Sequence, residues 1–323
     1  MFYLGVDVSK KKLDCMLLNS TNGKLKSKSL SNTKAGIEEL IGWLAENKAP
    51  EAHVIMEPTG VYHEPAALAL TDAGLKLSLV NPAQLRQFAQ GLGFKNKTDK
   101  ADSTVLARYG HTLKPEIWQA PSKSARQLKA LLARRDAVAD DLQREQNRHE
   151  AVDFGISPEQ VKQSILQSIA FLQAELKRLE QMIEDHIDTD PDLRNKRELL
   201  ETIPGVGTRV STNLTALFAA KTFNTAEQLA AYLGLVPVLW ESGSSVRARP
   251  RLSKAGPSNL RKLLYMPAVV ARKWNPHIKS FSDRLIAKGK TKMAVIGACM
   301  RKLAHLCFGV VHTGRPYDPN YAM

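Results

Sequence analysis

Tyr3-Leu4-Gly5-Val6-Asp7-Val8, then Leu13-Asp14-Cys15-Met16-Leu17-Leu18, an Asn22-Gly23 turn and Lys24-Leu25-Lys26-Ser27-Lys28-Ser29-Leu30 carry the alternation of neighbouring strands. They predict three antiparallel strands. Ile37, Leu40, Ile41 and Leu44 follow at helical spacing, and residues 52–56 form an apolar run of buried-strand type. Thr59-Gly60 breaks that run, a helix passes through residues 66–70, and residues 75–80 form a further strand closed by Asn81-Pro82. The order β-β-β-α-β-α-β-α predicts a mixed α/β domain over residues 1–121.

Beyond it the strand patterns stop. Val161, Ile165, Ile169, Leu172, Leu176, Leu179, Ile183 and Ile187 advance by threes and fours, the seam of a coiled coil. The seam faces either the preceding helix, through Leu128, Leu131, Leu132, Val138 and Leu142, or a second chain. Asp190-Pro191-Asp192 ends one helix and starts another, so a helical middle spans 122–190 and a mainly helical region spans 191–323. There, Pro204-Gly205-Val206-Gly207 separates Leu199 and Leu200 from Val210, Leu214, Leu217 and Phe218. A helix-hairpin-helix of this kind presents backbone N–H groups to a phosphate, which makes Gly205 and Gly207 candidate nucleic-acid contacts. A plain tight turn between two helices has the same pattern.

Composition narrows the class. Of 323 residues, 43% are hydrophobic and 24% charged, which excludes wholesale disorder. No uninterrupted run approaches the roughly 18 apolar residues of a membrane span. The basic run Lys10-Lys11-Lys12 follows the first apolar stretch, the reverse of a secretory signal, so a cytoplasmic, nucleoid-associated protein without a membrane partner is expected. Cys15, Cys299 and Cys307 form no CxxC pair, and Cys299 and Cys307 read as core thiols. The net charge of +14 is unevenly placed: 15 Lys/Arg against 12 Asp/Glu in 1–120, 10 against 13 in 121–190, and 21 against 7 in 191–323. Between Ser242 and Lys302 there are 15 basic residues and one acid, Asp283. That concentration is the footprint of a phosphate-backbone binder.

Two constellations carry candidate chemistry. Asp7 interrupts the first strand and Glu57 closes a later one. Asp99 and Asp102 lie three apart in Asn96-Lys97-Thr98-Asp99-Lys100-Ala101-Asp102, where a helix would set their β-carbons roughly 5–6 Å apart. Taken singly, the strand acids fit an edge or turn and the helical pair fits an N-cap with a first-turn acid. Together the four are hard oxygen ligands for Mg²⁺ or Mn²⁺, and Lys95 and Lys97 nearby suit the scissile backbone. The second constellation is Glu241-Ser242-Gly243-Ser244-Ser245-Val246-Arg247, continuing through Arg249, Arg251 and Lys254, with Arg261 and Lys262 beyond. Flexible neighbours would give a serine access to a phosphodiester, and arginines would stabilise its transition state. A loop that contacts phosphates without chemistry fits the spacing as well, and composition does not choose among the serines.

In these motifs, in Ile203-Pro204-Gly205-Val206-Gly207, in Ser253-Lys254-Ala255-Gly256 and in Leu264-Tyr265-Met266-Pro267, nearly the whole chain closely resembles the DEDD transposases of the insertion-sequence one-hundred-and-ten family, the bridge-RNA-guided serine recombinases. The resemblance implies an N-terminal RuvC-like domain of RNase H fold, a coiled-coil middle and a C-terminal transposase domain. It selects Ser242 as the nucleophile of a covalent phosphoserine intermediate, and Asp7, Glu57, Asp99 and Asp102 as the Mg²⁺-binding tetrad. It further implies a composite active site in a tetramer built from two homodimers. An element-encoded structured RNA, the bridge RNA, would pair with donor and target DNA. Where relatives carry basic residues before the serine motif, this chain has Val238-Leu239-Trp240, and Trp240 suits either base stacking or packing.

The expected activity is RNA-guided excision and insertion of a mobile element by strand exchange. A hydrolytic RuvC-like metal-dependent nuclease is the alternative, and a non-catalytic nucleic-acid binder a second. An actin-like ATPase would need a second glycine-rich phosphate loop, which this sequence lacks.

Overall fold

The computed structural model describes residues 1–93, 99–238, 241–242, 246–247 and 251–321, with Asp99, Lys100, Glu241, Ser242, Val246 and Arg247 described as backbone. They fall into two compact units, Met1–Ala120 and Pro121–Met323.

In the first unit β1 (Phe2–Val8), β2 (Lys12–Asn19) and β3 (Leu25–Ser31) form an antiparallel meander. Gly23, at φ +71°, supplies the left-handed turn residue between the last two. Parallel strands need crossovers. Accordingly α1 (Lys34–Glu46) precedes β4 (His53–Met56) and α2 (Glu64–Asp72) precedes β5 (Leu77–Leu79), giving the sheet order β3-β2-β1-β4-β5. Thr33 caps α1 by accepting from the Gly36 amide, and Asn81 caps α3 (Pro82–Gly91) by accepting from the Ala83 amide. The last helix of the unit is α4 (Asp99–Leu113).

Strand alternation divides the core. Leu4, Val6, Val8, Leu13, Cys15 and Leu17 face Leu40 and Leu44 of α1 and Ala66, Ala67 and Leu70 of α2. The odd-numbered residues of β1 point the other way, where Tyr3 and Met16 meet Ala107 of α4. Ile55, on that same face, packs with Leu85 of α3 and with Val105, Leu106 and Tyr109 of α4.

The second unit is mostly helical. α5 (Lys123–Phe154) and α6 (Glu159–Thr189) run side by side, followed by α7 (Pro191–Glu201), α8 (Thr208–Ala220) and α9 (Ala226–Tyr232). Four two-residue strands follow: β6 (Pro237–Val238), β7 (Glu241–Ser242), β8 (Val246–Arg247) and β9 (Arg251–Leu252). The unit ends with α10 (Ser258–Leu263), α11 (Tyr265–Trp274), α12 (Pro276–Ala287) and α13 (Lys292–Thr313). Of the two partners open to the α6 seam, the structure pairs it with the preceding helix.

That seam is uneven. Leu179, Ile183 and Ile187 are buried, Ile165, Ile169, Leu172 and Leu176 are half-buried, and Val161 is exposed. Its buried end is shared: Leu128, Leu132, Ile183 and Ile187 pack with Leu193 of α7 and Ala216 of α8. Arg197 of α7 adds ion pairs to Glu184 and Asp188 of α6. At the boundary expected at residue 190 the structure has a helix break capped by Asp190, whose carboxylate accepts from the Asp192 and Leu193 amides.

α13 is long and apolar enough to cross a membrane by length and composition, although Arg301-Lys302 interrupts the run. Its buried residues, from Val295 to Val310, lie in the core cluster of the second unit, which accounts for the composition. Cys299 and Cys307 are among them. Burial pushes the Cys307 and Cys15 thiols up to about 12 and raises Cys299, as expected of packed thiols that stay protonated.

Candidate functional site

Register brings two of the four predicted acids, Asp7 and Glu57, to one end of the first sheet. Gly5 pairs with Ile55 and Val6 with Met56 in the parallel ladder, so Asp7 and Glu57 stand one step beyond, side by side at the carboxyl ends of β1 and β4. Asp7 shares the face of Tyr3 and Gly5, the face that α4 covers. A β-carbon on Gly110 would meet Ile55 Cγ1 at 2.4 Å and Tyr3 Cδ1 at 3.2 Å, whereas one on Gly5 would meet the Ser103 carbonyl oxygen at 2.0 Å. Moving up β1 thus retraces α4 towards its first turn. That turn carries Asp102, half-buried like Asp7 and Glu57, and the backbone of Asp99.

Local contacts hold the loops around these acids. Asn32 Nδ2 donates to the Ser9 and Tyr62 carbonyl oxygens, both at 3.0 Å, tying the loop after Asp7 to the loop after Glu57. Buried His63 accepts from the Thr59 amide at 3.2 Å through Nδ1, and Thr59 Oγ1 donates to the Glu57 carbonyl at 3.3 Å. Sequence reasoning missed Asn32 and His63. An Asn after a strand and a His four residues beyond Thr59 carry no local signal of such bonds.

Carboxylates entering one sheet end from two strands and a helix suit a hard divalent cation in donor chemistry. Among the described residues no three His, Cys, Asp or Glu side chains are assembled as a metal site. The fourth acid, Asp99, is described as backbone, and Lys95 and Lys97 lie outside the described residues.

The serine motif lies on a ribbon in the second unit. Pro237 pairs with Leu252 and Val238 with Arg251, while further out Glu241 pairs with Arg247 and Ser242 with Val246. Ser242 is the second residue of its two-residue strand and pairs with Val246.

The ribbon's root is clamped. The Ser253 amide donates to the Val236 carbonyl at 2.8 Å. Gly256, at φ +97°, lies where a β-carbon would come within 1.9 Å of the Tyr232 carbonyl oxygen, and one on Gly234, at φ +68°, would come within 2.3 Å of the Ala255 carbonyl oxygen. Leu252 packs over Gly297 of α13. The Ser253-Lys254-Ala255-Gly256 motif therefore has a structural task that its sequence alone did not disclose.

The predicted nucleic-acid contacts divide. Arg251, Lys254 and Lys262 are exposed, and Lys254 adopts φ +53°. Arg261 is half-buried and its guanidinium donates to the Leu233 carbonyl at 3.3 Å, an internal tie. Gly205, at φ +103°, is a close-packing glycine whose β-carbon would come within 2.9 Å of Ala271 Cβ of α11. Gly207 is exposed at the start of α8, with no atom within 4 Å of a β-carbon there. Arg247 is described as backbone, and Arg249 and Trp240 lie outside the described residues.

Comparison with known proteins adds to this geometry. Residues 4–152 match the model of the IS110 DEDD transposases, described as transposase, and residues 197–283 match the transposase IS116/IS110/IS902 family. The pilin gene-inverting protein of Moraxella bovis is 33% identical over 98% of this chain and 97% of its own length. The insertion element IS110 uncharacterized 43.6 kDa protein of Streptomyces coelicolor is 26% identical over 48% of this chain and 37% of its own length. Among solved structures, T. thermophilus RuvC in complex with Holliday junction substrate is 14% identical and covers 36% of this chain and 99% of its own, at a TM-score of only 0.28.

Proposed function

The chain belongs to the IS110 family of transposases, which makes it an enzyme that cleaves and rejoins DNA, and from that premise we propose an RNA-guided recombinase working through Ser242. What supports this reading is the parallel register that ends β1 and β4 at Asp7 and Glu57, together with the packing of α4, whose first turn carries Asp102, against that face of the sheet.

In the proposed reaction Ser242 Oγ attacks a DNA phosphorus. A P–O bond to deoxyribose breaks, a Ser–O–P ester forms, the serine proton passes to water, and the departing sugar oxygen takes one up. Because the phosphate stays esterified, a sugar hydroxyl of a second strand displaces the serine without an external energy source. Asp7, Glu57, Asp99 and Asp102 would hold Mg²⁺ or Mn²⁺, which when bound neutralises charge on the phosphate. Arg247, Arg249 and Arg251 supply further positive charge, and Lys95, Lys97, Lys254 and Lys262 hold backbone phosphates. Strand exchange of this kind inverts a segment when both sites lie on one molecule, which is the activity in the name of the Moraxella relative.

Base pairing by an element-encoded RNA would choose the donor and target sites, leaving the protein to recognise shape and backbone. Two homodimers would join in the working tetramer. Ser242→Ala tests the chemistry: the covalent protein–DNA adduct is expected to vanish while DNA binding persists. An adduct that survives, or cleavage by the unaltered protein that leaves only free ends, would replace this reading with another nucleophile or with a hydrolytic nuclease.

A further inference from the structure

Trp274, the last residue of α11, is 64% exposed, and Val270 and Met266 precede it at one-turn intervals with exposures of 42% and 60%. Pro267, Ala268 and Ala271 turn into the core, and Ala271 touches Gly205. The fold has no use for the exposed apolar line. It is also not bare: Lys273 Nζ stands 4.9 Å from the Trp274 ring centroid, and Lys262 and Lys279 are exposed in the flanking helices. The surrounding sequence, 242–302, holds 15 basic residues and one acid.

Charge selects the occupant. A second copy placed on this face by twofold symmetry would bring lysines against lysines. Three apolar residues on a ten-residue helix make a short stripe for membrane insertion. An unpaired nucleotide meets every feature: its base stacks on indole, its sugar lies over valine and methionine, and its phosphate meets ammonium groups.

We propose that Trp274, with Val270 and Met266, is a stacking platform for unpaired DNA bases whose phosphates are held by Lys262, Lys273 and Lys279. DNA is chosen because cleaving and rejoining strands exposes unpaired DNA at the site of action. The platform rests on that DNA activity and is independent of Ser242, the carboxylates and the guide RNA.

The test uses the full chain, with equilibrium binding to an oligo(dT) strand, a duplex of equal length and an oligo(rU) strand. Trp274→Ala is expected to weaken oligo(dT) binding about tenfold and leave duplex binding within about twofold, while Trp274→Phe keeps most of the affinity. Matched thermal unfolding of both variants shows that the fold is intact, as the exposure of the side chain requires. Unchanged oligo(dT) affinity, an equal fall for strand and duplex, a loss confined to oligo(rU), or a change in oligomeric state each overturns the assignment. The last two outcomes would point to RNA and to a protein partner. Oligo(dT) binding by Ser242→Ala separates this platform from the serine chemistry: strand affinity equal to that of the unaltered protein is expected, and a fall as large as that of Trp274→Ala would overturn the assignment of a separate platform.

Discussion

Gly5 and Ser103 meet backbone to backbone. A β-carbon on Gly5 would stand 2.0 Å from the Ser103 carbonyl oxygen and 2.5 Å from the Ala107 amide nitrogen, and neither atom belongs to a side chain that can swing away. This approach seats α4 on β1 and carries the Asp102 turn towards the strand that bears Asp7. Gly5→Ala is expected to push the helix outward, costing about 1–3 kcal/mol in stability as overpacking does. If the proposed carboxylates hold Mg²⁺, DNA cleavage should fall further than stability and need more Mg²⁺. Denaturant unfolding and cleavage measured across a Mg²⁺ series check both, and a variant with unchanged unfolding and cleavage would show that the contact is dispensable.

Asn32 uses both hydrogens of one amide to join the loops that follow Asp7 and Glu57. Removing them with Asn32→Ala should cost about 1–2 kcal/mol, two ordinary hydrogen bonds with partly solvated acceptors. Asn32→Asp should be worse than Ala, because it points carboxylate oxygen at two carbonyl oxygens. Denaturation midpoints of the three proteins give the order, and an aspartate variant as stable as wild type contradicts it.

Gly256 and Gly207 have opposite surroundings although both stand in motifs read as nucleic-acid contacts. Gly256→Ala meets the Tyr232 carbonyl at 1.9 Å with φ at +97°, so it should lower stability by more than about 1–2 kcal/mol and disable strand exchange by loosening the ribbon root. Gly207→Ala meets nothing within 4 Å and should stay within about 0.5 kcal/mol. If a phosphate approaches the α8 terminus, the same change weakens duplex binding without altering the melting temperature, a combination that thermal and binding assays separate.

His53 links the first unit's stability to pH. Its Nε2 lies 2.8 Å from Ser78 Oγ, and the Ser78 hydroxyl donates to the Glu116 carbonyl at 2.6 Å, so Nε2 is the donor to Ser78. Burial, assisted by Lys76, lowers its pKa below the usual 6.5. A depressed value means the neutral form is favoured by folding: its contribution is complete above 6.5 and is lost as pH falls below that towards the folded value. His53→Gln should flatten this part of the acid limb. Melting temperatures of both proteins from pH 7 downward test it, and parallel slopes would assign the acid sensitivity elsewhere.

The strand meander, the two crossovers and the long helical pair were legible because alternation and helical spacing are local properties of neighbouring side chains, visible in residues such as Leu4, Val6 and Val8 or Ile183 and Ile187. Asp7 and Glu57 stood out for the same reason, as charges at strand positions among apolar neighbours. The short strands at 237–238, 241–242, 246–247 and 251–252 escaped notice because two-residue strands are too short to show a period. The helix break at Asp190 was legible because a cap signal reports where a helix starts, though not what it packs against.

Chain order and local periodicity thus decided which segments are strands and helices, and the placement of basic residues pointed to a phosphate backbone. Only folding decided that Gly5 admits α4, that Asn32 joins two loops, that Gly234 and Gly256 clamp the ribbon and that Trp274 stays outside the core. Each of these depends on atoms brought together from distant parts of the chain, and such distances are set by packing, which leaves no regular spacing in the sequence.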